Sequence, residues 1–277
     1  MTGVNDKQVQ VYNNVLDASA IEDLKNFLDV KDDYTDARPD FLSKSMPWAD
    51  DASQAVWPQK HIQKFLDTIL DDYSVDFVFF ARTDIRYPLH TDTTLGSEAY
   101  NLYKLILFPL TVPLPYGTVF FDNHWYGPGS KFTRQKINWF EYQLPNIYGT
   151  TTYVSDLTEF REKILAGDQS WNDVFEINQE FLDMVDYLIA SRQSTKRNLI
   201  VNDYSGISNL TDEPIPEELR SKYFDHIHSE DLKGLRFHSH VEWQVGSAIV
   251  WPRSMIHCTG NNIKGKSWIL VHTYKPK

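Results

Sequence analysis

His90-Thr91-Asp92 places an imidazole and a carboxylate two residues apart. In an extended segment residues 90 and 92 project to the same side, so both can bind one metal ion. A second imidazole, His257, closes a short apolar run far down the chain. Two neutral imidazoles and one carboxylate on one face of a divalent ion leave three positions open, a ligand set suited to non-haem Fe(II) and O2 chemistry. The chain has nine histidines, so His-x-Asp by itself carries little weight, and a surface turn pair would read the same. Lys266, nine residues beyond His257, opens the last apolar strand. A lone cation in that setting suits an anionic ligand.

These side chains need a β framework to bring them together. Gly246 to Arg253, Ser254 to His257 and Lys266 to Tyr274 read as three strands joined by tight turns. Val75–Ala81, Asn101–Phe108 ending at Pro109, and Gly117–Phe121 are apolar and β-rich, and 236–245 returns to strand character. Short strands broken by Pro and Gly predict a sandwich or barrel. Val9–Tyr12 alternates polar and apolar and reads as a short strand.

Helices flank this core. Asp17 starts one with Ile21, Leu24, Phe27 and Leu28 on a face, and Pro58 opens another with Ile62, Phe65, Leu66 and Ile69. Both read as buttresses, with residues 31–56 a long loop between them. Residues 128–235 are too long for a loop. Asp156 and Glu159 form a capping box ahead of Phe160 and Ile164. Phe175, Phe181, Leu182, Val185, Leu188 and Ile189 mark a long helix, and Pro216 opens a shorter one through Tyr223. The segment reads as a helical insertion, a lid over one end of the core. The whole chain, 1–277, then forms one domain: helical support over 1–74, a β core from 75–127 and 236–277, and the insertion over 128–235.

Composition narrows the partners. The net charge of −11 argues against a nucleic-acid partner. The single cysteine, Cys258, allows no intrachain disulfide and fits a reducing compartment. The first residues lack the apolar core of a signal peptide, and no run is long enough to span a bilayer. The expectation is a cytoplasmic protein with a small-molecule partner.

His90-Thr91-Asp92, distal His257 and Lys266 together resemble the Fe(II)- and 2-oxoglutarate-dependent oxygenases. The order of N-terminal helices, strands, insertion and closing strands is similar as well. The resemblance covers most of the chain outside the insertion. It implies a mainly β fold with flanking helices, built on a double-stranded β-helix (jelly-roll, cupin-like) core. It implies Fe(II), 2-oxoglutarate and O2 as cofactors, with His90, Asp92 and His257 as metal ligands and Lys266 paired with the distal carboxylate of 2-oxoglutarate. Many members carry Arg where this chain has Lys, which makes a point-charge contact in place of a fork. Lys264 is a neighbouring option for that role. The implied reaction abstracts hydrogen from an unactivated C–H, with release of succinate and CO2; the substrate expected is small and amino-acid-derived, since Arg residues near the mouth would suit an anionic substrate. The outcome is hydroxylation, desaturation or ring closure. A peptidyl residue such as proline is the alternative substrate. The carboxylate of Asp92 argues against halogenation, because halogenating relatives carry a small residue there.

Further residues are candidates around this site. Tyr103 follows His-x-Asp on the next strand, where its hydroxyl could bind the cosubstrate. Lys104, its neighbour, faces the other way on a regular strand. Arg82, His124, Trp125 and Arg253 lie near predicted strand ends and could touch substrate. A rival metal set is His238, His240 and Glu242 with His257, as in a cupin-like metal- or sugar-binding module or isomerase. Only five residues separate His240 from Gly246, too few for the strand pair that cupins place there. His226 and His228 read as solvent-facing.

Overall fold

The computed structural model describes residues 8–28, 36–38, 41–93, 102–127, 131–134, 142–145, 147, 151–154, 157–190, 200–261 and 265–276. The strands before the insertion are β1 (Gln10–Tyr12), β2 (Asp36–Arg38), β3 (Phe41–Met46), β4 (Ser74–Thr83), β5 (Leu102–Thr111) and β6 (Gly117–His124). The insertion holds β7 (Lys131–Phe132), β8 (Tyr142–Pro145), β9 (Thr151–Val154) and β10 (Ile200–Val201). The chain closes with β11 (Phe237–Glu242), β12 (Ala248–Pro252), β13 (Met255–Thr259) and β14 (Lys266–Tyr274). Helices are α1 (Ala18–Leu28), α2 (Lys60–Ile69), α3 (Leu157–Leu165), α4 (Gln179–Ala190), α5 (Glu217–Tyr223) and α6 (Ser229–Leu232).

One sheet has seven strands in the order β1-β12-β5-β14-β4-β3-β2, and a second has three in the order β11-β6-β13. The segment around His90 extends the second sheet by bridging to His257 on β13. In sequence the core strands alternate between sheets: β4, the His90 segment, β5, β6 with β11, β12, β13, β14. That path is a double-stranded β-helix, the jelly-roll solution to an antiparallel core.

The seven-stranded sheet is covered on both faces. Ile106, Phe108, Ile269 and Val271 pack against Leu24 and Leu28 of α1 and Ile62 and Leu66 of α2. Each helix offers residues four apart, one stripe toward the sheet. Asp17 Oδ1 caps α1 by accepting from the Ala20 amide at 2.8 Å. The opposite face, with Leu105, Leu107, Trp251, Trp268 and Leu270, meets Phe120 and Met255 of the small sheet. Eight of the nine residues of β14 are therefore buried, which explains its continuous apolar run.

Three expectations need correction. Residues 31–56 are not one loop, because β2 and β3 lie there and β3 extends the sheet along β4. The alternation of Phe41–Met46 is hidden by Ser43, Lys44 and Ser45 in an outer strand. β5 does not stop before Pro109 but runs through it to Thr111. The register with β14 shifts between Ser267 and Trp268 at that point, and such an irregularity accommodates a residue without an N–H. Phe175 is not on the long helix, which begins at Gln179; it packs in the same cluster with Phe160, Phe181 and Val185. Asp156 of the expected capping box lies outside the described residues.

The insertion divides into two parts. α3 and α4 share their own apolar cluster with β8 and β9. Residues 200–235 instead back the small sheet: Phe224, Ile227, Leu232 and Leu235 pack on Val119, Phe121 and Ile256. That second part is a buttress on the outer face, where a lid was expected. No helix of the described residues is long and apolar enough to cross a membrane.

Gly117 begins β6 where the His240 ring lies flat across it, stacked on Tyr223 with centroids 4.4 Å apart. A Cβ at 117 would overlap that imidazole. Gly117→Val is expected to destabilise the protein by about 1–3 kcal/mol through overpacking, measured as a lower urea midpoint with unchanged slope. An unchanged midpoint would mean the ring moves aside freely.

Candidate metal centre

The His90 segment and β13 meet through reciprocal backbone bonds. His90 N donates to His257 O at 2.9 Å, and His257 N donates to His90 O at 2.9 Å. Directly opposed residues put their side chains on one face, and the two ring centroids are 4.1 Å apart. Asp92, two residues on, follows on that face. One ligand atom from each of His90, Asp92 and His257 falls within 4.8 Å of the others.

Both imidazoles are oriented from behind. His90 Nδ1 lies 2.8 Å from Pro88 O and His257 Nδ1 lies 2.9 Å from Met255 O. A carbonyl only accepts, so each Nδ1 carries the proton and each Nε2 keeps its lone pair for the site. Burial, followed by the nearby His257 imidazole, pulls His90 down to about 4, so its ring is neutral near pH 7. Burial alone would push the Asp92 carboxyl up, but the His257 and His90 imidazoles outweigh it and hold it well below the usual carboxylate range. Asp92 Oδ2 is 3.2 Å from His257 Nε2. With a lone pair on Nε2 no proton lies between the two atoms, and this buried oxygen has no hydrogen-bond partner.

A buried carboxylate oxygen without a partner is costly. Two imidazole lone pairs aimed at the same point do not relieve it. A divalent cation does, and the donor set of two nitrogens and one carboxylate suits Fe(II) with positions to spare. The residues present therefore fit the metal.

Beside the triad is a cavity of about 130 Å³. Phe79, Leu105, Leu107 and Leu270 make its walls apolar, while Thr118 and Lys266 add polar groups. At roughly 10–15 Å³ per water-sized position, it holds a ligand the size of a short keto diacid. Lys266 is buried, and burial pulls its ammonium down to about 7 against the opposing pull of Asp84. The rings of Tyr116, Trp243 and Trp268 surround Nζ at 5.8, 5.3 and 5.4 Å. Such rings attract the charged form with their faces. Sequence reading missed this cage, although β-alternation alone puts Trp268 on the face of Lys266. It also missed His272, the buried residue of β14 two positions past Leu270, whose ring nitrogens both lack partners. Lys264 lies outside the described residues.

The other candidates are not at the cavity. Tyr103 packs toward the helix-covered face, its ring 4.7 Å from Lys275 Nζ. The cause is a register shift between His272 and Tyr274, where Thr273 Oγ1 bonds both the Lys104 amide and carbonyl. Arg82 is exposed on β4 and shares parity with Val78 and Phe80, which face the helices. His124 bonds Ser254 Oγ through Nδ1 at 3.0 Å and stacks on Tyr126. Trp125 packs edge-on against Phe132 in the outer cluster. Arg253 is fully buried, and its Nε donates to Asp92 O at 3.0 Å; a residue so enclosed is not at a substrate rim.

The rival set does not assemble. β6 lies between β11 and β13, which separates His240 from His257. His238 instead pairs with Asp122 at 2.6 Å, and Glu242 is exposed. His226 is half-buried with Nε2 3.2 Å from Tyr87 O, contrary to the solvent-facing expectation, while His228 is exposed and caps α6. Cys258 lines the cavity and burial pushes its thiol up, so it is a poor nucleophile.

No protein-family model matches the chain, and no curated protein matches it in sequence. Among solved structures it is similar to HygX from Streptomyces hygroscopicus with nickel and 2-oxoglutarate bound. That match has 12% identity and TM-score 0.42, covering 99% of this chain and 84% of that one. HygX with nickel, 2-oxoglutarate and hygromycin B matches at 11% and 0.40, covering 98% and 83%. EvdO2 from Micromonospora carbonacea var. aurantiaca matches at 11% and 0.38, covering 98% and 88%. The jelly-roll path is defined by this chain's own strand order and pairing.

Asp92→Ala and His257→Ala are each expected to weaken Co(II) or Mn(II) binding by more than roughly 100-fold, read by calorimetry. His240→Ala is expected to leave it within about threefold. The opposite pattern would move the metal to the cupin-like set.

Proposed function

We propose that this protein is an Fe(II)- and 2-oxoglutarate-dependent oxygenase acting on a small molecule. The observation that carries the proposal is the partnerless Asp92 Oδ2 facing two imidazoles whose Nδ1 atoms are tied back to carbonyls. His90, Asp92 and His257 would hold the iron. When bound, the iron and its keto-acid cosubstrate supply O2 activation and hydrogen abstraction from an unactivated C–H, with succinate and CO2 as coproducts. The chain's own share is to bind, orient and exclude water.

Lys266 would take the distal carboxylate of 2-oxoglutarate. The aromatic cage holds its ammonium in place, and the apolar walls of Phe79, Leu105, Leu107 and Leu270 keep water from the contact. Thr118 Oγ1 accepts the Trp243 indole N–H at 2.9 Å, which leaves its hydroxyl proton available to the same ligand. Hydroxylation, desaturation and ring closure share the same first step. The substrate class favoured is a free amino acid or amino-acid derivative, with a peptidyl residue as the alternative.

Lys266 gives this reading a pH signature. Burial holds it at about 7, so above that pH the neutral amine must take up a proton to meet a carboxylate. Affinity for 2-oxoglutarate is expected to fall as pH rises from about 7 to 9, with net proton uptake measured in buffers of different ionisation heat. Lys266→Met should remove both the uptake and most of the affinity. Proton uptake that survives in Lys266→Met would assign the carboxylate contact elsewhere. Succinate release stimulated by one member of a panel of amino acids and derivatives would support the substrate class. A panel that leaves basal succinate release unchanged, beside stimulation by a prolyl peptide, would favour the alternative.

A further inference from the structure

Arg253 sits in the turn between β12 and β13, four residues before His257. Its side chain is 0% exposed, a rare placement for a guanidinium. Nε donates to the carbonyl of Asp92 at 3.0 Å. Nη1 donates to Asp76 Oδ2 at 2.9 Å and to Thr273 O at 3.3 Å. The backbone of Arg253 is engaged as well: its O accepts from the Asp92 amide at 3.1 Å and its N donates to Tyr103 O at 3.3 Å. One residue therefore grips Asp92 at both its N–H and its C=O.

The grip lies in a particular place. The His90 segment and β13 pair through His90 and His257, and the next bond along is from the Asp92 amide to Arg253 O. There the backbone pairing gives way to a side chain, since it is the guanidinium Nε that reaches the Asp92 carbonyl. The far side of the guanidinium is fixed to β4 through Asp76 and to β14 through Thr273, both in the seven-stranded sheet. We infer that Arg253 is a positioning residue for the metal centre: it clamps Asp92 against the turn that leads into His257 and ties that edge of the small sheet to the large one. It touches neither metal nor substrate. Lys cannot reproduce the grip, because one ammonium does not present Nε and Nη1 donors along fixed, diverging directions.

The inference rests on the ligand reading of His90, Asp92 and His257 and on nothing specific to oxygen chemistry. The test is Co(II) titration of the full chain, well below the melting temperature, followed by calorimetry and by the visible bands of bound Co(II). Arg253→Lys is expected to bind Co(II) roughly 10–100-fold more weakly, with altered bands and a folded circular-dichroism spectrum. A purely structural role would lower the melting temperature and leave affinity and bands as in the wild type, and that result overturns the inference. Should Arg253→Lys fail to fold, Asp76→Asn keeps the guanidinium and its bond to Asp92 but loosens its anchor. Its Co(II) affinity should fall by a smaller factor, and unchanged affinity overturns the inference equally. A wild type that binds Co(II) but not 2-oxoglutarate would sink the oxygenase proposal and leave the clamp standing. A wild type that binds no Co(II) would remove both.

Discussion

The site depends on one short piece of backbone pairing. His90 and His257 lie 167 positions apart in the chain, yet each donates its amide to the other's carbonyl at 2.9 Å. That exchange sets register, and register sets which side chains share a face. A one-residue slip would turn Thr91 toward the cavity and both His90 and Asp92 away from it. Much else can be read as protection of this register. β6 flanks β13 on its other side, and the buttress of residues 200–235 packs behind both. The shift in pairing between Met255 and His257 is an irregularity of the kind that re-aims a side chain beside a site.

The second constraint is electrostatic. A buried lysine and a buried carboxylate share one apolar interior without pairing to each other. Each is held by different means. Asp92 shares one point with the imidazoles of His90 and His257, where a cation would balance it, and the Lys266 ammonium is ringed by Tyr116, Trp243 and Trp268. Burial still pulls Lys266 down to about 7, with the Asp84 carboxylate opposing it only in part. A ligand with a carboxylate at one end and metal-binding oxygens at the other would satisfy both groups at once. Phe79, Leu105, Leu107 and Leu270 line much of the cavity between them, with Thr118 and Thr259 among its polar groups.

The parts of this account legible in the sequence are those with short-range signals. His-x-Asp on an extended segment, a histidine ending a strand, and a cation opening the last strand are all local patterns. The helices α1 and α2 also carry their apolar stripe in the chain itself. What was hidden depends on partners far away in sequence. Arg253 looked like a rim residue because a strand end usually is one, and nothing local reveals that Asp76, Asp92 and Thr273 enclose it. Tyr103 was misplaced by a register shift that a regular alternation cannot foresee. The strand β3 was overlooked because serines and a lysine mask its period. The apolar residues in the second half of the insertion do not say which face of the core they cover, so sequence alone does not separate a lid from a buttress.

The central claim is that one metal ion and one keto diacid occupy this cavity together. The direct measurement is a crystal of the protein grown anaerobically with Mn(II) and 2-oxoglutarate, with anomalous scattering recorded for the metal. The account predicts a single strong peak bonded to His90 Nε2, an Asp92 carboxylate oxygen and His257 Nε2, with 2-oxoglutarate density running from that peak to Lys266 Nζ. A peak at His238 and His240, or a triad without metal beside a cavity filled only by water, would contradict it.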